Sequence, residues 1–290
     1  MVTCHSRAEL GTDMVPPPTP TILAEGYGFP ESPRWHEGLW WVSDLHRRQV
    51  LSVDPAGGSS VVAEVPGRPS GLGWLPDGRL AVASMRERRV LCVDDGGQLS
   101  SLADLSKVVL GPINDMVVTD DGHIYVGCFG LWDGQRYGAA NLAVVKPDGV
   151  VAEAAGGLAF PNGLALSGDG GSIICAETHG HRLTAWDRRD DGSLTARRVW
   201  ADLGCHTPDG LAIDADGAAW VADPFQRVVL HVAEGGEILD QVEMGGRGAF
   251  ACALGGTDGR SLLICSNIAD VAAAYNNRHL REGRLEVVRV

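Results

Sequence analysis

The sequence predicts an all-β protein, a six-bladed β-propeller with four antiparallel strands per blade and a ring closed by an N-terminal strand. A strand–turn–strand pattern occurs six times, its copies are evenly spaced, and short β-branched segments separate them. A four-stranded unit cannot bury both of its faces alone, whereas a ring of such units can. A β-sandwich is the alternative fold, but it gives no reason for six copies in register.

The six copies begin at positions that we call anchor residues, separated by 39, 44, 48, 47 and 41 residues. Each copy holds two short apolar runs that flank a Gly-containing turn, usually Asp-Gly, as a tight hairpin requires. The anchor residues are Glu31, Ser70, Asn114, Asn162, Asp209 and Phe250.

The two ends of the chain predict how the ring closes. Residues 21–27, TILAEGY, resemble the outer strand of a blade, but no repeat precedes them in the sequence. The last copy runs through LEVVRV and lacks an outer strand of its own. We therefore expect residues 21–290 to form a single domain in which the N-terminal strand completes the last blade. Residues 1–20, rich in proline, are expected to be a flexible lead-in.

The amino-acid composition argues against some classes of binding partner. The formal charge of −13 and the lack of a long basic block argue against nucleic acid. No apolar run approaches the ~18 residues of a membrane span, and no secretion signal is apparent. The seven cysteines have no CxxC spacing, and their odd number suits a reducing compartment. We expect a cytoplasmic monomer or small homo-oligomer.

The repeat register brings two sets of side chains to one rim of the ring. The anchor residues include two carboxylates and two amides, and clustered carboxylates repel each other unless a cation lies among them. Donors that are all oxygen favour Ca²⁺, Mg²⁺ or Mn²⁺, with Zn²⁺ possible. Strand capping is the alternative role. The second set ends the returning strands: Asp44, Ser84, Cys128, Glu177, Asp223 and Asn267.

Several segments resemble the signature segments of the SMP-30/gluconolactonase/luciferin-regenerating-enzyme family, and the likeness runs from about residue 21 to 290. The resemblance implies a six-bladed propeller that is a metal-dependent lactonase or related esterase, with one divalent ion near the top of the central channel. The segments are FPESPRW from Phe29, Asn114-Asp115, PNGL from Pro161, PDGL from Pro208 and WVAD from Trp220.

Position by position, the resemblance implies that Glu31, Asn162 and Asp209 bind the metal, that Asp209 is catalytic, and that Asn114 contacts substrate. Ca²⁺ is the expected ion, and Zn²⁺, Mg²⁺ or Mn²⁺ are alternatives. Sugar-lactone members carry an arginine where this chain has Pro112. We therefore expect a lactone that is less hydroxylated than a sugar lactone.

The predicted reaction is opening of a cyclic ester. An ion at this place would polarise the carbonyl and acidify a water molecule, with Asp209 as general base and Asn114 orienting the substrate. His206 precedes Asp209 by three residues and either donates a proton or binds substrate, or is a loop histidine without a chemical role. His179 and His181 also follow a strand toward the mouth, where substrate contact is one of two interpretations.

An insertion at residues 129–138 places aromatic residues between glycines. It is either a mobile lid, with Trp132 and Arg136 as substrate contacts, or a segment packed on a neighbouring blade. Two other classes of function remain open: a propeller that binds a ligand without chemistry, and a propeller enzyme of secondary metabolism that condenses or eliminates.

Overall fold

Six four-stranded antiparallel sheets are arranged in a ring, which confirms the predicted six-bladed β-propeller. The structure is a computed structural model that describes residues 19–134 and 136–290. The lead-in expected at residues 1–20 lies outside the described residues except for 19 and 20, so its flexibility stays a prediction.

The strands of the first three blades follow one another along the chain. Blade 1 consists of β2 (Pro30–His36), β3 (Leu39–Asp44), β4 (Gln49–Val53) and β5 (Ser59–Glu64). Blade 2 consists of β6 (Pro69–Trp74), β7 (Leu80–Ser84), β8 (Arg89–Val93) and β9 (Leu99–Asp104). Blade 3 consists of β10 (Ile113–Val118), β11 (Ile124–Cys128), β12 (Ala140–Val145) and β13 (Val151–Leu158).

The remaining blades repeat this order, and the last one also takes the first strand of the chain. Blade 4 consists of β14 (Pro161–Leu166), β15 (Ser172–Glu177), β16 (Arg182–Arg188) and β17 (Leu194–Asp202). Blade 5 consists of β18 (Leu211–Ile213), β19 (Ala219–Asp223), β20 (Val228–Val232) and β21 (Ile238–Glu243). Blade 6 consists of β22 (Gly248–Gly255), β23 (Ser261–Asn267), β24 (Gly283–Arg289) and β1 (Thr21–Tyr27). A short helix, α1 (Val271–Asn276), follows β23.

The first strand of each repeat is the innermost strand of its blade, as the sequence predicts. Strands β2, β6, β10, β14, β18 and β22 lie at one edge of their sheets and each contacts the inner strand of the next blade. The anchor residues therefore surround the central channel.

The ring closes through the N-terminal strand. Strand β1 pairs antiparallel with β24, from Thr21 opposite Val287 to Tyr27 opposite Gly283. This pairing confirms that the first strand completes the last blade.

Apolar side chains from neighbouring blades pack against each other and form six separate core clusters, one at each blade interface. Each blade thus buries both of its faces only because it has a neighbour on either side. Five cysteines contribute to this core as buried free thiols: Cys92, Cys128, Cys175, Cys252 and Cys265.

Five of the six inner strands have an irregular pairing at their anchor residues, whereas β18, which follows Asp209, has none. In β2 the pairing with the second strand shifts between Glu31 and Arg34, and in β14 it shifts between Pro161 and Leu164. The same shift occurs in β6, β10 and β22. A β-bulge bends the strand locally and turns a side chain off the normal alternation, so the anchors can point along the channel while the rest of the strand packs between blades.

Closure by β1 predicts a large loss of stability when its buried side chain is removed. Tyr27 is 3% exposed and its hydroxyl is 2.6 Å from Ser59 Oγ in blade 1, whereas Ile22 on the same strand is 50% exposed. We expect Tyr27→Ala to lower the free energy of unfolding by about 3–5 kcal/mol and Ile22→Ala by under about 1 kcal/mol. Urea unfolding measures both, and equal small losses would show that β1 contributes little.

Candidate active site

A cavity of about 620 Å³ opens where the anchor residues surround the channel. Its floor, which we call the polar floor, is formed by Glu31, Asn114, Asn162 and Asp209. The structure thus brings together four side chains that lie on four different blades and that the sequence predicts as site residues. Ser70 does not line the cavity; its hydroxyl donates to the carbonyl of Asn114 at 2.8 Å.

Hydrogen bonds link each blade to the next around the channel. From blade 1 round to blade 6, each of the five bonds involves an anchor residue or its immediate neighbour along the chain. They run from Ser43 Oγ to Ser70 O (2.7 Å), Ser70 Oγ to Asn114 O (2.8 Å), Asn114 Nδ2 to Asn162 Oδ1 (2.7 Å), Gly163 N to Asp209 O (3.1 Å) and Gly210 N to Phe250 O (2.9 Å). Asn267 Nδ2 completes the circle by donating to Gly28 O at 3.0 Å.

The glycine that follows each of two anchors is explained by the closeness of the inner strands. A Cβ atom on Gly163 would lie 2.7 Å from the carbonyl oxygen of Asp209, and one on Gly210 would lie 2.6 Å from the Cα atom of Ala251. Real Cβ atoms do not approach backbone so closely, so only glycine fits. The PNGL and PDGL segments therefore let neighbouring strands, and with them Asn162 and Asp209, approach each other.

The two carboxylates of the polar floor lie in an environment that opposes their ionisation. Burial raises the pKa of Glu31 well above its usual value, and repulsion from Asp209 and Asp115 adds to the effect. Burial likewise raises the pKa of Asp209, with Asp223 and Asp115 adding repulsion. Asp209 is 7% exposed, and its Oδ1 atom is buried without a hydrogen-bond partner. An unpaired buried carboxylate oxygen is costly unless a cation compensates it.

One cation of the chain lies near these carboxylates and is already engaged. Arg34 Nη2 is 2.7 Å from Asp115 Oδ1 and also donates to the carbonyl of Met116 at 2.9 Å. Asp115 accepts two backbone N–H groups as well, from Met116 and from Leu164. The Arg34–Asp115 pair joins blades 1, 3 and 4. Attraction to Arg34 offsets only part of the effect of burial and repulsion on Glu31, whose pKa stays raised.

Thr178, just after β15, orients two groups of the polar floor at once. Its Oγ1 atom accepts a hydrogen bond from Asn162 Nδ2 at 3.2 Å and donates one to the carbonyl of Pro208 at 2.8 Å. Pro208 directly precedes Asp209, so one hydroxyl connects both segments. The Asn162 amide nitrogen thus faces Thr178, and its Oδ1 atom accepts a hydrogen bond from Asn114 Nδ2 at 2.7 Å.

The residues present fit a hard divalent cation. Among residues 19–134 and 136–290, no three His, Cys, Asp or Glu side chains group closely enough to hold a metal ion, so a site here needs an amide oxygen besides the carboxylates. Asn162 offers one, and Ca²⁺ accepts carboxylate and amide oxygens in flexible geometry. The unpartnered Oδ1 of Asp209 is the observation that favours this fit.

The second predicted set supports the loops rather than lining the cavity. Asp44 accepts backbone N–H groups from Gly28, Phe29, His46 and Arg47 at 2.7–3.1 Å. Asp223 does the same for the loop before β18 and the turn after β19. Buried carboxylates at the ends of the second strands therefore hold the chain segments that carry the site.

Glu177 plays this role in blade 4. It accepts hydrogen bonds from the backbone of Ala159 and from the side chains of Arg182 and Thr184. Burial opposes its ionisation, but the hydrogen bonds from Arg182 and Thr184 outweigh burial and lower its pKa.

Of the three histidines near the mouth, His179 lines the cavity. Its ring packs against Phe160 at 4.7 Å, and burial, with repulsion from His181, lowers its pKa. His206 lies outside the cavity wall, where its Nδ1 atom donates to Asp223 Oδ2 at 2.9 Å. His181 Nδ1 donates to the carbonyl of His206 at 2.7 Å.

The insertion of blade 3 folds back on itself through a bridge between Trp132 and Tyr137. Both residues line the cavity, and Tyr137 packs on Phe160 of blade 4 at 4.9 Å. Tyr137 thus packs beside blade 4 while Leu131 and Trp132 stay exposed, and both interpretations of the insertion stay predictions. Arg136 points away from the wall: its side chain is 84% exposed and lies 3.8 Å from Asp133.

Sequence reasoning missed Thr178, the Arg34–Asp115 pair and most of the cavity wall. One signal was available, since Phe-Pro precedes both Glu31 and Asn162, and Phe29 and Phe160 both line the cavity. The contribution of α1, through Tyr275, had no local signal.

The fold and the site define a class of protein, a six-bladed propeller with an oxygen-rich floor at the mouth of its channel. A sequence model described as SMP-30/Gluconolactonase/LRE-like matches residues 29–268. The chain therefore belongs to the SMP-30/gluconolactonase/LRE-like family, as its signature segments indicate.

Individual relatives are more distant. A 6-deoxy-6-sulfogluconolactonase from Pseudomonas putida is 27% identical over 247 residues, 82% of each chain. A gluconolactonase from Xanthomonas campestris has a TM-score of 0.77 at 23% identity and covers 95% of this chain and 96% of its own. A calcium-binding regucalcin from Agrobacterium tumefaciens has a TM-score of 0.79 at 22% identity and covers 94% of this chain and 95% of its own. Both structures share the fold.

Among the described residues, no helix is both long enough and apolar enough to cross a membrane.

Because Asp209 Oδ1 has no hydrogen-bond partner, we expect the metal-free protein to become more stable when the charge of Asp209 is removed. Asp209→Asn removes the repulsion from Asp223 and Asp115, and we expect it to raise Tm in excess chelator by a few degrees, about 1 kcal/mol. Asp216→Asn, in an exposed turn of the same blade, should leave Tm unchanged. A lower Tm for Asp209→Asn would contradict an uncompensated charge.

The depressed pKa of Glu177 predicts an acid-sensitive contribution to stability. Because the folded pKa lies below the unfolded value of about 4.3, the contribution is present at neutral pH and is lost as pH falls through the folded pKa. We expect Glu177→Gln to cost about 2–4 kcal/mol of unfolding free energy at pH 7. The difference from wild type should shrink below about pH 4; a difference independent of pH would show that the carboxylate is not ionised.

Proposed function

We propose that this protein is a metal-dependent hydrolase that opens a lactone ring, and that its substrate is less hydroxylated than a sugar lactone. One observation carries the proposal: two carboxylates and two amides meet in one cavity, and the buried Asp209 Oδ1 has no hydrogen-bond partner there. The lactonase relative supports the reaction class. Pro112, in the place of the sugar-binding arginine, supports the less hydroxylated substrate.

Glu31, Asn162 and Asp209 are the proposed metal ligands. Their donors are all oxygen, which favours Ca²⁺ over softer ions and leaves Mg²⁺, Mn²⁺ and Zn²⁺ as alternatives. The calcium-binding regucalcin of the same fold supports Ca²⁺ as the ion to test first. When bound, the cation would supply Lewis-acid polarisation of the lactone carbonyl and stabilise the negative charge that develops on its oxygen.

Asp209 and Asn114 of the polar floor have different roles in the proposed reaction. Asp209 takes a proton from the attacking water, whose oxygen forms a bond to the carbonyl carbon. Asn114 uses one Nδ2 hydrogen on Asn162 and keeps the other for the carbonyl or ring oxygen of the lactone. The bond between the acyl carbon and the ring oxygen then breaks, the ring oxygen takes up a proton, and a hydroxy acid leaves.

His179 lines the cavity and is the histidine best placed to give that proton. Its lowered pKa makes the neutral imidazole the resting form at neutral pH. His179 would therefore relay a proton that it takes from solvent or from Asp209.

The cytoplasmic location and the oligomeric state of the protein stay predictions.

The proposal is tested by removing and restoring the metal. We expect chelator to abolish hydrolysis of a lactone panel, followed by pH-stat, and Ca²⁺ or another divalent ion to restore it. Asp209→Asn should lower kcat by about 10²–10⁴-fold with an unchanged circular dichroism spectrum, and Asp216→Asn should match wild type.

Other results would point elsewhere. Full hydrolysis by Asp209→Asn would remove Asp209 as the base. Metal binding without turnover on a broad lactone and ester panel would favour a ligand-binding propeller. A product that lacks the mass of one added water would favour an enzyme that eliminates or condenses.

A further inference from the structure

The cavity has two chemically distinct parts. Below lies the polar floor, and above it stands a wall built almost entirely of apolar side chains from the loops of different blades. We call this upper part the aromatic wall. Its rings are Phe29, Phe129, Tyr137, Phe160, Phe250 and Tyr275.

One side of the aromatic wall comes from blades 3 and 4. Phe129 and Phe160 stack at 4.6 Å with an interplanar angle of 19°, and Tyr137 meets Phe160 edge-on at 4.9 Å. Trp132 packs on Tyr137 at 5.0 Å and remains 56% exposed. These rings form a continuous apolar surface that reaches from the floor to the rim.

The other side comes from blades 6 and 1, which lie across the ring. Phe29 meets Phe250 at 4.7 Å and Tyr275 of α1 at 5.8 Å, both edge-on. His46 donates from Nε2 to the carbonyl of Tyr275 at 3.0 Å and so fixes the end of α1 against the mouth. The cavity is thus bounded by aromatic rings on opposite sides.

Phe160 is held in a backbone conformation that bulky residues avoid. Its φ angle is +63°, in the left-handed region that favours glycine and asparagine. Such a conformation costs about 1–3 kcal/mol and persists where the surroundings or a function require it. Here it places the ring between Phe129, Tyr137 and His179.

The wall offers little to a hydroxylated or anionic group. No Lys or Arg side chain is among the described residues that line the cavity. Arg68 interacts electrostatically with Tyr275, but it is 4% exposed and lies outside the wall. Besides the polar floor, the polar groups that line the described cavity are the hydroxyls of Thr178, Tyr137 and Tyr275, the indole N–H of Trp132, and the side chains of His179 and Asn276. The Thr178 hydroxyl is already engaged with Asn162 and Pro208.

From these observations we infer that the site takes a lactone bearing a large apolar substituent, a long alkyl chain or an aromatic group. The polar floor binds the ester group and the aromatic wall holds the substituent. This inference rests on the proposed lactone hydrolysis but concerns a different part of the cavity. The volume of about 620 Å³ leaves room above the ester for such a group.

The experiment compares δ-lactones of increasing chain length with metal-loaded enzyme. We expect kcat/KM to rise about two- to fourfold per added methylene from δ-valerolactone to δ-dodecalactone, and glucono-δ-lactone to be a poor substrate. Equal rates along the series, or a preference for glucono-δ-lactone, would overturn the inference and leave the proposed function standing.

Phe160→Asn removes the ring while its new residue tolerates a positive φ, so we expect the variant to fold. It should lower kcat/KM for δ-decalactone about 10–100-fold and change that for δ-valerolactone less than about threefold. Ile238→Ala, which shortens a 47% exposed side chain on β21, is the control and should change neither. Equal losses on both lactones would assign Phe160 to general structure and overturn its role as a substituent contact.

Binding of uncleavable lactams separates the inference from the reaction. By calorimetry, 6-pentyl-δ-valerolactam should bind at least tenfold more tightly than δ-valerolactam, and Phe160→Asn should abolish the difference. If no lactone is hydrolysed but this difference is found, the proposed function fails and the apolar subsite stands. If the two lactams bind equally, the subsite is wrong whatever the enzyme hydrolyses.

Discussion

The hydrogen bonds that join neighbouring blades around the channel are the constraint on which the rest of the structure depends. Packing between blades is apolar and has no preferred direction, but each of these directional bonds fixes one blade against the next at or beside an anchor residue. Glycine after Asn162 and after Asp209 allows the strands to come this close. Side chains from distant parts of the sequence are therefore held with the precision that a metal site or an ester-binding floor requires.

Bringing the carboxylates of the polar floor together costs free energy. Glu31 and Asp209 are brought into a buried, mutually repulsive pair whose pKa values are raised. Asp44, Glu177 and Asp223 are even more deeply buried, but their carboxylates are satisfied by backbone and side-chain donors. Two groups of carboxylates thus coexist in one ring, one that holds the loops and one whose surroundings oppose ionisation. A site with this imbalance is typical of function rather than of packing.

The ring, its closure and the polar floor could be predicted from the sequence because each follows from a pattern that repeats along the chain. An anchor at the start of every inner strand faces the same channel, so six copies in register are enough to bring Glu31, Asn114, Asn162 and Asp209 together. Thr178 could not be predicted, because its hydrogen bond to Asn162 crosses between strands at a loop that differs in every blade. Most of the aromatic wall could not be predicted for the same reason, since Phe29, Phe129, Tyr137, Phe160 and Tyr275 lie outside the repeated strands and meet only in three dimensions.

Blade 6 is assembled from both ends of the polypeptide, with Thr21 beside Val287. During synthesis, β1 emerges long before β24, the strand with which it pairs. Bringing together segments so distant along the chain carries a larger loop-closure entropy than pairing strands that are neighbours in sequence, and such non-local pairing slows folding. Because the two segments adjoin in space, a circular permutant that joins them and opens a hairpin elsewhere is a natural way to measure how far assembly order, rather than native contacts, governs the yield of folded protein.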